Sequence, residues 1–406
     1  MKKAFYLLPK TIRRLIVRSI ESIALFNTRN KSFQAKPEKK QSGNKINVLI
    51  YHINALSFGG TEKNLQMIAK YLDKSKYNVF LMHATQGDKN RHEYLRDTDM
   101  RIIPFEYERV ETTWPYFIKN MSPLLETIIE EHKIDCIVTA TPGQTIYPLI
   151  NIKSVPIILI NIFGSFSMQK NIRKHLCVSE TVKKLAARVV NEDMLEVQYN
   201  PSERPIPNAE GAKKIRGRFG IKDIDLVFGR IGRADDSIFD PIALLAFEIA
   251  IKINPEIHFL IMSPADAAKK LVIENNIPNV HWLEPSYLEE DVWAFHEAID
   301  VLAHFRADGE SCGLNIIESM LVGNPILTHK SHIWNAHLEY LDNSFSRYTE
   351  KDDYEHYAKN MIEFGEFHKS GKLKEMGQEG KEKGEKLFLI ENIIKRYESW
   401  INQAVK

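Results

Sequence analysis

DGESCGLNIIESMLVGNP, positions 308–325, is the stretch on which the reading of this chain turns. An apolar run at 300–304 precedes it, as a buried strand would. Glu310 then falls in a loop, and Gly313 opens an apolar-periodic helix over 313–322 that carries Glu318. A second apolar run, 325–329, follows. The two glutamates stand eight positions apart. A fully helical span of that length is about 12 Å, which suits opposite ends of one extended ligand. Gly313 lets a ligand approach the backbone closely. The N–H groups of Gly313, Leu314 and Asn315 at the helix start form an anion site suited to a diphosphate.

Working outward, strand-like runs at 226–230, 258–262, 280–283, 300–304 and 325–329 alternate with helical patterns such as 241–253 and 313–322. The first half repeats the plan. Runs at 46–52, 78–83, 134–139 and 156–160 have helical stretches between them, notably 61–72 and 115–132. Strands alternating with helices imply crossover connections and parallel sheets. Between the halves, YNPSERPIPN (199–208) holds three prolines in ten residues and cannot be the interior of an element. The expected organisation is an extension and linker over 1–44, a first α/β domain over 45–200, a second over 201–385, and a C-terminal helix in 386–406 that packs back on the first domain. Ligands of doubly wound sheets bind outside the carboxyl ends of the strands, so the loops after strands are where chemistry is expected.

The 308–325 segment resembles the E-x7-E motif of retaining glycosyltransferases of the GT-B fold, family-4 type. That motif reads roughly E-S-F-G-L-x-x-x-E-A-M-A-x-G-x-P-V. The chain reads E-S-C-G-L-N-I-I-E-S-M-L-V-G-N-P-I, with Glu310, Gly313, Leu314, Glu318, Met320, Gly323 and Pro325 in place. The resemblance implies two Rossmann-like doubly wound domains facing each other across a cleft. It also implies that Glu318 holds the donor's ribose hydroxyls, that Glu310 contacts the transferred sugar, and that the amides after Gly313 meet the phosphates. FGGTEK (58–63) resembles the family's G-G-x-E loop, which carries over Gly59 and Gly60. GRIGR (229–233) resembles a segment whose arginine neutralises the donor phosphates. A planar guanidinium suits this because it pairs two oxygens at once, and Arg230 and Arg233 are both candidates. CVSE (177–180) and YNP (199–201) support the resemblance without adding sites. Asn335 and Glu339 stand where they would cap the base of the nucleotide.

Two departures stand out. The lysine the family places about five residues after the phosphate arginine is replaced by Ile238, counting from Arg233, and no lysine lies between Asp235 and Ala250. The histidine the family often has after the strand at 156–160 is also missing; the chain has Asn161 and Phe163 there.

The remaining features bound the reading. The formal net charge is +2, so no whole-molecule field calls for nucleic acid. The three cysteines, Cys136, Cys177 and Cys312, are far apart, which speaks against a disulfide framework or zinc site and fits a reducing cytoplasm. His329, His332 and His337 lack metal-ligand spacing and read as polar residues at the cleft rim. The D-T-D at 97–99 reads as a turn. Residues 1–26 are basic and apolar, with Ile12, Leu15, Ile16, Ile20 and Ile23 at helical spacing. This helix suits either weak contact with an anionic membrane or packing on its own protein. Residues 27–45 read as a polar linker.

The expected activity is transfer of a hexosyl group from a nucleotide-diphosphate sugar to a glycan or lipid-linked saccharide. Configuration is retained and no metal or other cofactor takes part. The setting is cell-surface polysaccharide or lipopolysaccharide synthesis, in the cytoplasm or at the inner face of the membrane. A nucleotide-sugar epimerase or hydrolase, and a non-catalytic partner subunit of the same fold, remain alternatives. An NAD-dependent dehydrogenase is disfavoured, because no G-x-G-x-x-G follows either first strand.

Overall fold

The computed structural model describes residues 8–27, 45–56, 59–85, 92–96, 98–106, 108–110, 117–119, 122–144, 148–286 and 288–406. Residues 28–44 of the expected linker, residues 1–7, Phe58 and Asp97 lie outside these described residues. The chain forms two compact units. One is Met1–Pro201 with Ile390–Lys406, and the other is Ser202–Leu389.

The first unit is built on seven strands: β1 (Ile46–His52), β2 (Tyr77–Ala84), β3 (Arg101–Phe105), β4 (Cys136–Thr141), β5 (Ile157–Asn161), β6 (Ile172–Cys177) and β7 (Leu195–Val197). Their order is β3-β2-β1-β4-β5-β6-β7, and every neighbouring pair is parallel. β1 is central, and Val48, Leu49 and Ile50 are buried. Both faces of such a strand are covered, which is why its sequence is a continuous apolar run and not an alternation.

The helix expected over 115–132 is shorter. It spans Ser122–Glu131, and Phe117–Lys119 is instead a short strand antiparallel to Glu108–Val110. Pro123 explains the difference. Proline is tolerated in the first turn of a helix but costs about 3 kcal/mol in its interior, where 115–132 would have placed it.

The C-terminal helix Ile390–Ala404 belongs to this first unit. It buries Ile390, Ile393, Ile394, Tyr397, Trp400, Ile401 and Ala404, a stripe at three- and four-residue spacing. Trp400 Nε1 donates to Glu196 at 2.8 Å, and the backbone N–H of Asp73 donates to Glu398 at 3.2 Å. The N-terminal helix Lys10–Asn27 buries Val17, and its Arg14 Nε donates to the Val189 carbonyl at 2.7 Å. Leu15 (62% exposed) and Ile12 (43%) point outward. Among the described residues, no helix is long and apolar enough to cross a membrane.

His175, in β6, is fully buried, and among the described residues neither ring nitrogen has a hydrogen-bond partner. Burial pushes its imidazole down to about 4. Between pH 6.5 and 4 the unfolded chain therefore binds a proton that the folded chain refuses, and stability falls as pH falls through that window. His175→Leu removes the group at similar volume. It is expected to flatten this acid slope without loss of stability at pH 7, as read from urea midpoints at several pH values. An unchanged slope would show that His175 is solvated.

The second unit carries β8 (Leu226–Ile231), β9 (Ile257–Met262), β10 (Val280–Leu283), β11 (Val301–Ala303), β12 (Gly309–Glu310), β13 (Ile326–His329), β14 (Trp334–Asn335) and β15 (Ser346–Thr349). Six of them form one sheet in the order β10-β9-β8-β11-β13-β15, all parallel. The other two, β12 and β14, make a separate two-residue parallel pair, Gly309↔Trp334 and Glu310↔Asn335. β12 lies in the loop after β11, and β14 in the loop after β13. The pair therefore stands beyond the carboxyl ends of the sheet, where ligands of such sheets bind.

Candidate active site

The 308–325 segment folds as its residues require. β11 ends at Ala303, the loop runs through Arg306 and Asp308 to Glu310, and the helix begins at Leu314. Gly313 is the N-cap, with φ +84° and ψ +73°, a left-handed conformation that side-chain-bearing residues adopt at a cost. A Cβ here would also meet the Tyr340 hydroxyl at 3.1 Å and Glu310 Cγ at 3.3 Å. The helix therefore starts one residue later than the periodicity suggests. Gly323 caps the other end, again left-handed, at φ +102°.

The helix start is tied to the sheet. Asn315 Nδ2 donates to the Ile231 carbonyl at 2.9 Å, and Asn315 Oδ1 accepts from Ile316 N at 3.0 Å. The first intrahelical bond runs from Ile317 N to Gly313 O. Helix geometry leaves the N–H groups of Gly313, Leu314 and Asn315 without intrahelical acceptors, beside the end of β8.

At that same end, the two arginine candidates separate. Arg230, on β8, is buried (6% exposed), and its guanidinium donates to the carbonyls of Arg233 and Ser263 at 3.4 Å. It lies 5.3 Å from the centre of the Phe305 ring. Burial and the neighbouring Arg306 push the Arg230 guanidinium down to about 10, against the opposing pull of Glu310. A buried cation crowded by another cation is poised to receive an anion. The Arg233 side chain is 68% exposed, 3.8 Å from Asp235.

Glu310 sits at the centre. Its side chain is 15% exposed, and Oε1 lies 3.3 Å from His304 Nε2 and 3.4 Å from Arg306 Nη1. Burial raises the Glu310 carboxyl, but the His304 hydrogen bond and the charges around it outweigh that and hold it below its usual value. It is a carboxylate at neutral pH. Arg306 also makes a two-pronged pair with Asp308, at 2.5 and 3.0 Å.

Neither Arg306 nor His304 belongs to a motif that marks it in the sequence. The only signal was a cation four residues before Glu310. Glu318, in the second turn of the helix, is 6% exposed and lies 3.7 Å from His296 Nε2. Asn335 commits its amide to the Ser331 backbone: Oδ1 accepts from Ser331 N at 2.7 Å and Nδ2 donates to Ser331 O at 3.1 Å. It shapes the loop that holds β14 beside β12.

Two of the three histidines expected at the cleft rim are not surface residues. His329 and His337 are fully buried, and only His332 reaches solvent. β13 is an inner strand of the sheet, so His329 is covered on both sides; its Nε2 accepts from the Arg306 backbone N–H at 3.2 Å.

Gly59 and Gly60 lie in the first unit, at the start of the helix Gly60–Tyr71 that follows β1. Beside them Glu62 is 3.5 Å from the buried His52. Asn161 builds the turn after β5, accepting from Gly164 N at 2.8 Å and donating to Ser165 O at 2.8 Å, and Phe163 is half exposed. The position of the missing lysine, Ile238, is buried.

Solved structures similar to this chain share one architecture. A glycosyltransferase from Rickettsia africae ESF-5 superposes with a TM-score of 0.72 at 14% identity, over 89% of this chain and 99% of its own. The chain has the GT-B fold. HepE of Anabaena, solved in complex with UDP and glucose, gives a TM-score of 0.66 at 16% identity over 88% of this chain and 100% of its own. WaaG, a glycosyltransferase involved in lipopolysaccharide biosynthesis, gives 0.61 at 13% identity over 88% and 99%. No family model matches the chain, and no curated protein matches it by sequence.

Proposed function

We propose that the chain is a retaining glycosyltransferase that moves a hexosyl group from a nucleoside-diphosphate sugar to a glycan or lipid-linked saccharide. The observation that carries this is the grouping in the second unit. A carboxylate, Glu310, is held beside buried Arg230 and a glycine-opened helix start, beyond the carboxyl ends of a doubly wound sheet. UDP and glucose in Anabaena HepE, a protein of the same fold, support a donor of this class. The lipopolysaccharide role of WaaG supports a cell-surface acceptor.

In this reading the diphosphate meets the Gly313, Leu314 and Asn315 amides together with Arg230. Arg306 and the exposed Arg233 add charge where the family's lysine would stand. Glu318 takes the ribose hydroxyls and Glu310 the hydroxyls of the hexose. As the sugar–phosphate bond breaks, positive charge grows on the sugar and negative charge on the leaving diphosphate. Fixed arginines and amides stabilise that negative charge in place of a metal. No covalent enzyme intermediate is invoked.

The test is the stereochemistry of turnover. With UDP- and GDP-hexoses, even slow transfer to water is expected to release a sugar of the donor's anomeric configuration, seen by proton NMR before mutarotation. Release of the opposite anomer would rule out retention.

A further inference from the structure

Behind Glu310 lies a buried file of polar groups with no counterpart in the motif. His304 Nε2 faces Glu310 Oε1 at 3.3 Å, and His304 Nδ1 faces the Thr328 hydroxyl at 3.3 Å. The same hydroxyl faces His337 Nε2 at 3.3 Å. His304 is 3% exposed, and Thr328 and His337 are fully buried. β11 and β13 are neighbours, and His304 N donates to the Leu327 carbonyl at 2.8 Å, which sets the two side chains side by side. The Tyr357 hydroxyl lies 3.3 Å from the carbonyls of both His304 and Leu327, locking the two backbones together.

The chemistry of the groups gives the file a direction. A carboxylate only accepts, so the His304 nitrogen facing Glu310 carries the hydrogen. In a neutral ring the other nitrogen, Nδ1, must then accept, and the Thr328 hydroxyl must donate to it. With its hydrogen committed, Thr328 accepts from His337 Nε2–H. Burial pushes the His337 imidazole down to about 3, so it stays neutral and fits this part.

We propose that Thr328 and His304 are positioning residues. Thr328 fixes His304 as the Nε2–H tautomer, and His304 together with Arg306 occupies Oε1 of Glu310, which turns Oε2 toward the transferred sugar. Among the described residues, both hydrogen bonds to this carboxylate fall on Oε1. The inference rests on the reading of Glu310 as the sugar contact. It goes beyond that reading in saying what aims the carboxylate.

The test compares binding of UDP and of UDP-glucose by calorimetry in the full chain, with Glu310→Gln, Thr328→Val and Thr328→Ser. The valine keeps the shape and loses the hydroxyl; the serine restores it. Thr328→Val is expected to weaken UDP-glucose roughly 3- to 10-fold, the worth of one hydrogen bond. UDP should be unchanged, and Thr328→Ser should recover the loss. If Glu310→Gln weakens the sugar conjugate selectively while Thr328→Val does not, the positioning role is wrong and the role of Glu310 stands. If Glu310→Gln fails to discriminate the two ligands, both readings fall together. Nitrogen-15 spectra of histidine-labelled protein, with His304→Gln for assignment, give an independent reading that needs no ligand. At a pH where the ring is neutral, the Nε2–H tautomer is expected at His304, and the Nδ1–H tautomer would overturn the proposal.

Discussion

Glu310→Gln is expected to lower kcat by about a hundred-fold or more while leaving the affinity for the bare nucleoside diphosphate within about three-fold. The first figure is the usual cost of deleting one preorganised polar contact to a transition state. The second follows from the division of labour in the site. The diphosphate is assigned to the Gly313–Asn315 amides and Arg230, whereas the Glu310 hydrogen bonds go to His304 and Arg306. Glutamine keeps the volume and one carbonyl oxygen but loses the negative charge facing a sugar that becomes positive. Glu310→Ala would lower kcat further, because it also leaves His304 Nε2–H and an Arg306 N–H in a mostly buried site without their acceptor. Steady-state kinetics with titration of the free diphosphate checks both numbers. Turnover of Glu310→Gln close to that of the unmodified chain would remove Glu310 from the site.

Gly309→Ala should be the most damaging small substitution near the site. Gly309 has φ +71°, and a Cβ built on it would lie 1.8 Å from the Trp334 carbonyl oxygen and 2.7 Å from Ser331 Cβ. The obstacle is the backbone of β14, which a side-chain rotation cannot move aside. Accommodating a methyl group therefore requires β12 and β14 to separate. Left-handed strain alone costs about 1–2 kcal/mol, and the lost pairing adds to it. A total of about 3 kcal/mol corresponds to a fall in Tm of roughly 6–12 °C for a unit of this size. Because Glu310 is the next residue on β12, kcat/KM should fall as well. Gly217→Ala is the control: it lies within the helix Ala209–Arg218, and nothing is within 4 Å of its added Cβ. It should gain up to about 1 kcal/mol from helix propensity. Calorimetric melting of the two variants gives the comparison. A Gly309→Ala protein as stable as the parent would mean that the β12–β14 pair is not closely packed.

What the sequence made legible was chain-local. The glycine-opened helix with Glu310 and Glu318, the tandem α/β organisation and the GT-B fold could be read because each rests on residues near one another in the chain. The fold now stands on the two parallel sheets and on the similar solved structures.

The surroundings of Glu310 were not legible, because they depend on sheet order. His304 and Thr328 are twenty-four positions apart and meet only because β11 lies beside β13. His329 and His337 looked like surface residues from their polarity, and only the inner position of β13 and the turn after it bury them. The choice between Arg230 and Arg233 was open in GRIGR. The strand resolves their exposure, burying Arg230 and leaving Arg233 in solvent. Pro123 could have shortened the 115–132 helix in advance. The apolar periodicity runs on through that proline and so does not show the boundary.

In the proposed function the second unit binds a nucleotide sugar through Glu318 and the helix that begins at Leu314. The direct measurement is a thermal-shift panel of UDP, GDP, ADP and their common sugar conjugates, without added metal and again with Mg²⁺. A ligand that binds only the folded chain raises its Tm, by about 4 °C or more when present at a hundred times its Kd. Such a shift is expected with one nucleotide, unchanged by Mg²⁺ and lost in Glu318→Ala. No shift with any of the nucleotides, or an equal shift in Glu318→Ala, would contradict it.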